Sequence, residues 1–434
     1  MPSSLLARVL DDLRTAPSAS VEPADSPIDV PLPSRLATGE LARSSVAAIT
    51  AVMGGDLPAL DPERIALAYR SDRFLMIDGA APPVWSPFSG FWPASDGWVR
   101  THGNYPHHAA ALRRGLELTE AAGSEDVADA FTRMTTSDAV RAITGSGGLA
   151  VAVSRESPAH DHALRSRPLV TMTRDRERPD LAGPPTPANT GLPLAGVRVL
   201  DLTRVIAGPV CTRTLALLGA DVLRIDPPGL AEAEWQHLDT GHGKRSTILD
   251  ARSPRMEELL SSAHAVVLGY RPAALRRLGL DPDSLARRHP HLVVAQLSAW
   301  GTDHPDRAGF DSLVQAESGI SWIESPDGTM PGALPAQALD HSAGYLLAAA
   351  VSVAIRRRRT EGGSWRVTTS LRRIAAELLG MPRRDALPAE RAIDSSRHTT
   401  GFTVGGRDIV TVGAAIPGYD FAAPRPWGRD RPRW

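Results

Sequence analysis

Between Val197 and Trp300 the chain alternates short apolar runs with helical ones, and few folds accommodate that rhythm. VRVLDLT (Val197 to Thr203) reads as a buried strand, GPVCTRTLALLGA (Gly208 to Ala220) as a helix, and DVLRID (Asp221 to Asp226) as a second strand. RSTILD, a helix through MEELLSSA, the strand AVVLGY, short helices through AALRRLGL and DPDSLARRH, and the strand LVVAQLSAW continue the pattern. Apolar strands of this length between helices indicate βαβ units and a mostly parallel sheet. A helix from Asp311 to Gly319, a long apolar helix opening at ALDHSAGY, the strand WRVTTSL and the helix RRIAAELLG complete the region.

The first unit, VRVLDLTRVIAGPVCTRTLALLGADVLRID, has the outline of a dinucleotide-binding start. Its loop reads Arg204-Val205-Ile206-Ala207-Gly208-Pro209, which lacks the glycines that let a pyrophosphate lie against the backbone. Pro209 suits a first helical turn, where its missing N–H costs nothing. No GxxxxGK[ST] motif is present, so neither NAD or FAD binding nor ATP-type phosphate transfer is expected.

Net charge is −1 over 434 residues, which gives no general footprint for nucleic acid. Cys211 is the single cysteine, so no intramolecular disulfide can form; in an apolar helix it reads as a small core residue. No zinc-type Cys/His spacing occurs. The four arginines Arg356 to Arg359 follow an apolar helix, where cations suit the C-terminus. The opening MPSSLLARVLDDLRTAPSAS lacks the apolar centre of a signal peptide, and GYLLAAAVSVAI is too short to cross a bilayer. A cytoplasmic protein without membrane contact is expected.

Two stretches rich in Pro read as linkers, Thr15 to Ser34 and Arg174 to Pro193. They divide the chain into an N-terminal segment (1–35), a small mixed α+β lobe (36–173), a linker (174–193), a Rossmann-like domain (194–380) and a closing C-terminal segment (381–434). In the lobe, ARSSVAAITAVMG, HHAAALRRGLEL and VADAFTRM read as helices, and FLMIDG as a strand with a turn. SGFWPASDGWVRTHG reads as two short strands around Ser95-Asp96-Gly97. Trp85, Trp92 and Trp98 are expected to form a core cluster. His102, His107 and His108 invite a metal or acid–base reading, but no carboxylate stands at ligand spacing.

Five segments together resemble the family III CoA-transferases, the CaiB/BaiF family. They are the stretch Pro193 to Gly229, GHGKRSTILD, AVVLGYRPAALRRLGLDPDSL, LVVAQLSAWGTDHPDRAGFDSLVQAESG, and ALDHSAGYLLAAAVSVAIRRRRTEGG. They fall in the family's order and spacing from Pro193 to Leu379. The resemblance implies an α/β fold: a mostly parallel CoA-binding sheet plus a smaller α+β lobe. It also implies transfer of coenzyme A from an acyl-CoA to a carboxylic acid, with CoA as substrate, no tightly bound cofactor, and a homodimer. It places the catalytic nucleophile at Asp340 and a second carboxylate, Asp311, near the reacting centre. CoA would run beside Arg204, Val205, Ile206 and Ala207. Arg224 and Pro227 would lie near the adenosine end, Gly269 and Tyr270 beside the pantetheine, and Arg277 at a phosphate.

The order departs from the family's, because features like its small domain precede the CoA domain here, as in a permuted chain or a truncated tandem pair. His242 stands where the family has Arg, in Asn-Arg-Gly-Lys-Arg-Ser, and Gly269 stands where it usually has Asn. Phe310 stands where family racemases carry His, which argues against 2-methylacyl-CoA racemisation, although a histidine from the N-terminal lobe could substitute. A non-catalytic CoA-binding relative is the third possibility. On position alone Asp340 would be an N-cap, Asp311 would cap its own helix, and Lys244, the single lysine, would sit in a solvated turn or near a CoA phosphate.

Overall fold

The computed structural model describes residues 4–14, 29–54, 58–175 and 191–434. The two expected linkers fall largely outside them. In chain order the strands are β1 (Met76–Ile77), β2 (Phe91–Ala94), β3 (Gly97–Thr101), β4 (Ala150–Ala152), β5 (Thr171–Asp175), β6 (Arg198–Leu202), β7 (Asp221–Asp226), β8 (Arg245–Ile248), β9 (Ala265–Leu268), β10 (Val293–Ser298), β11 (Ser364–Ser370), β12 (Thr399–Val404) and β13 (Arg407–Val412).

The central sheet has seven strands in the order β5-β11-β10-β9-β6-β7-β8. All neighbours run parallel except β5, which pairs antiparallel with β11. Taking β6 as first, the parallel strands lie third, second, first, fourth, fifth, sixth, the doubly wound order. Helices cover both faces, so β9 (AVVL) is buried throughout, and its lack of polar alternation follows. The expected α/β architecture is therefore present.

One helix organises the core. Ala338–Glu361 is buried from Ala338 to Ile355 and packs on the helices Ala207–Leu217 and Thr38–Met53. By length and composition it is the one helix among the described residues that could cross a bilayer, but its most apolar window is wholly buried inside the protein. Glycine permits the closest approach. A Cβ on Gly344 would stand 2.7 Å from the Ala207 carbonyl oxygen and 2.7 Å from Val210 Cβ. Gly344→Ala is expected to lower stability by about 1–3 kcal/mol. The check is a lower denaturant midpoint at unchanged slope.

Several expectations about the N-terminal half need correction. β5, assigned to the end of the small lobe, is an edge strand of the central sheet. Leu5–Asp12, assigned to an N-terminal segment, and Thr38–Met53, assigned to the small lobe, both belong to the main core. Each carries an apolar stripe too wide to leave uncovered; the long helix covers Thr38–Met53, which in turn packs on Leu5–Asp12. The small lobe proper is the sheet β2-β3-β4 with helices around Val99, Leu112, Phe131 and Ile143. Its hairpin turn is Ser95-Asp96, since Ala94 already pairs with Gly97. The tryptophans do not cluster: Trp92 stacks on Phe131 in the core, whereas Trp85 is exposed and lies against Arg100.

The C-terminal residues fold back. β12 and β13 form a hairpin that joins β1. Beyond it the chain runs along β8: Asp430 N–H donates to the Ser246 carbonyl (2.8 Å), and Ser246 N–H donates to Asp430 Oδ2 (2.8 Å). An otherwise open sheet edge is thereby covered.

Candidate active-site cleft

The strand order reverses between β6 and β9, and a crevice opens there at the strands' carboxyl ends. It holds a cavity of about 900 Å³. Arg204, Val205 and Ala207 after β6, Pro227 after β7, and Gly269, Tyr270 and Arg271 after β9 line one side. Phe310 and Asp340 also line the cavity. The small lobe of the same chain closes the cavity with Tyr105, His107, His108 and the segment 147–151.

Asp340 is not an N-cap. Its helix begins at Ala338, so Asp340 lies inside the first turn. The cap comes from another helix: Asp340 N–H donates to Asp311 Oδ2 at 2.9 Å. Gln315 Nε2 holds the other Asp311 oxygen at 2.5 Å, and Gln315 Oε1 accepts from Leu334 N–H at 2.8 Å. Helix N-termini carry unsatisfied N–H groups and partial positive charge, which Asp311 meets. That arrangement leaves the Asp340 side chain, 5% exposed, free to face the cavity. Burial, and then the Asp311 charge, raise the Asp340 carboxyl well above the ordinary range. Burial also lifts Asp311, to about 6, against the opposing hydrogen bonds from Gln315 and the Asp340 and Leu339 N–H groups.

The loop after β6 is strained. Val205 has φ 73°, a conformation costly for a β-branched residue. Its N–H is pinned by Glu232 Oε2 at 3.2 Å. Glu232 also accepts from Tyr105 OH (2.5 Å) and Arg224 (2.9 Å), and pairs with Arg204 (3.5 Å). Arg224 makes two further bonds to Asp226, at 2.8 and 3.0 Å, and Trp427 Nε1 donates to Asp226 Oδ2 at 2.9 Å. One buried network thus joins the loop, the small lobe and the C-terminal residues.

Residues 194–405 match the sequence profile of CoA-transferase family III. This part of the chain belongs to that family. A probable fatty acyl-CoA transferase of Mycobacterium tuberculosis is 34% identical over 196 residues, covering 40% of this chain and 49% of that protein. Formyl-CoA:oxalate CoA-transferase of Afipia carboxidovorans is 29% identical over 209 residues, covering 44% and 49%. Mouse succinyl-CoA:glutarate CoA-transferase is 32% identical over 153 residues, covering 31% and 35%. The chain spans about half the length of the first two of these relatives, and less of the third. Among solved structures, a CAIB/BAIF family protein from Brucella suis is 26% identical with a TM-score of 0.38, over 44% of this chain and 60% of that one.

Within this family III domain the expected residues divide. Asp340, Arg204, Val205, Ala207, Pro227, Gly269 and Tyr270 come together on the cavity wall. Ile206 is outside the wall and precedes the helix Ala207–Leu217. Asp311 is fully buried behind Asp340 and touches it through the main chain. Arg224 is fully buried in the ionic network, too far inside to meet an adenosine. Arg277 points outward, with a side chain 65% exposed and Asp306 at 3.7 Å, and Arg271 lines the cavity in its place. Lys244 sits neither in a solvated turn nor at a phosphate; it is buried against Asp201 Oδ2 (3.0 Å) and the Pro209 carbonyl (2.9 Å). His242 stacks on Phe421 with ring centroids 4.8 Å apart. Tyr105 and Glu232 were not among the expected residues. AEAEW resembles a solvated loop, and only the arginines around it in space reveal the role of Glu232.

Proposed function

We propose that the protein moves coenzyme A between two carboxylic acids, with Asp340 as the acyl-accepting nucleophile. The observation that carries the reading is a carboxylate facing a CoA-sized crevice at the sheet's switch point, with its helix N–H capped by a different acid. An Asp340 oxygen attacks the thioester carbonyl, the C–S bond breaks, and CoA leaves as thiolate. The thiolate then attacks the Asp340 acyl carbon of the mixed anhydride, the C–O bond breaks, and the donor acid departs. The acceptor carboxylate repeats both steps in reverse. No proton is required, and each intermediate stays activated. Burial of the site limits loss of the anhydride to water.

Trapping tests this directly. Incubation with acyl-CoA and hydroxylamine should leave a hydroxamate on Asp340, located by peptide mass; a hydroxamate-free Asp340 in an enzyme that turns over refutes the role.

The reacting form is the carboxylate, and its pKa is raised, so activity should fall on acidification earlier than an ordinary carboxylate would require. The two acids titrate as a pair. Asp311→Asn removes the neighbouring charge and should move the acid limb of kcat/KM to lower pH, which a pH profile of the variant measures.

A second reading, exchange of the acyl α-proton, is favoured by His107 and His108 on the cavity wall and by His102 stacked on Phe310 at 4.0 Å. Burial pushes His108 down to about 4, so it would act as a base. Uptake of solvent deuterium by acyl-CoA without CoA movement would favour this reading.

A further inference from the structure

Resting on the transfer reading, we infer that the acids exchanged are apolar beyond their reacting carboxyl group, and that the small lobe of the same chain selects them. The surface around Asp340 carries the argument. Its helical partner Asp311–Ser318 packs against β4, and Ser154 N–H donates to the Ala316 carbonyl at 3.0 Å. His102 N–H donates to the Leu149 carbonyl at 3.1 Å, while the His102 ring lies on Phe310. These contacts seat Leu149 and Val151 beside Phe310 and Leu313, and with Leu297 and Leu371 they line the cavity. This part of the wall has no ionic side chain except Asp340.

Two of the cations elsewhere on the wall are already engaged. Arg204 pairs with Glu232 and donates to the Ala231 carbonyl (2.7 Å). Arg307 makes two bonds to Glu317 and lies over the Trp300 ring at 3.7 Å. Arg271 is exposed at the rim, near the Asp306 carbonyl (3.4 Å). The second acid on the wall, Asp306, is exposed, pairs with Arg277 and offers an anionic acyl group no counter-charge. A dicarboxylate would thus bring a charge into an apolar recess without a counter-charge, whereas an alkyl or aryl group gains from burial there. Donor and acceptor pass through the same recess, so both belong to one class.

Calorimetry on the wild-type protein tests the class, and mass spectrometry of CoA movement to deuterated butyrate tests transfer. Hexanoyl-CoA is expected to bind at least tenfold tighter than glutaryl-CoA and to be the better donor by a similar factor. Equal or tighter binding of glutaryl-CoA overturns the inference. Preferential binding of hexanoyl-CoA with no CoA movement supports the selectivity and defeats the transfer reading instead. Val151→Ala should lengthen the best-bound acyl chain; an unchanged chain-length profile in the folded variant overturns the lobe's selecting role.

Discussion

Asp340→Ala is expected to abolish CoA transfer, with kcat down at least about a thousandfold, while CoA affinity stays within about tenfold. The asymmetry follows from geometry. The wall proposed to hold CoA is built from Arg204, Val205, Ala207, Gly208, Pro227 and residues 269–271, and none of these depends on the Asp340 side chain. The helix start is held by Asp311 through the Asp340 backbone, which alanine retains. The substitution also relieves repulsion between two buried acids, so stability should hold or rise slightly. Isothermal titration with CoA beside a transfer assay checks the prediction. Turnover at the wild-type rate would remove Asp340 from the mechanism.

Arg224→Met is expected to cost about 3–5 kcal/mol of stability, because it strands charge in a dry place. Asp226 and Glu232 both rest on this guanidinium, and all three side chains are at most 1% exposed. Methionine fills similar volume, so the loss would be electrostatic rather than a cavity effect. The expected readout is a large fall in the denaturant midpoint. A second effect should accompany it. Glu232 pins Val205 and Tyr105, so the loop after β6 should loosen and, on the proposed reading, CoA affinity should fall as well. Glu232→Gln keeps the hydrogen-bonding shape and serves as the milder comparison.

The parallel sheet was legible because strands buried on both faces write themselves as unbroken apolar runs, and 197–300 contains little else. The position of Asp340 was legible for a different reason: five segments matched a family pattern jointly. Its setting was not. An acid ahead of an apolar helix looks like a cap, and only the fold shows that Asp311, far away in sequence, supplies the cap and leaves Asp340 to the cavity. Arg224 misled for a related reason. An arginine at a strand end beside a loop suggests phosphate, but its two acid partners follow at Asp226 and Glu232 and draw it inward. The N-terminal half was the least legible. Thr171–Asp175 has no apolar run, and its place in the sheet depends on pairing with a strand nearly two hundred residues later. Leu5–Asp12 likewise finds its partner only in the folded core.

The indole of Trp427 hydrogen-bonds the same Asp226 that steadies Arg224, and the last indole, Trp434, donates to the Leu259 carbonyl at 3.2 Å. Residues 427–434 therefore act as a strap buckled onto the back of the ionic network that steadies the loop after β6. A substitution that frees the Trp427 indole would be felt, through Asp226 and Arg224, in the loop that lines the crevice.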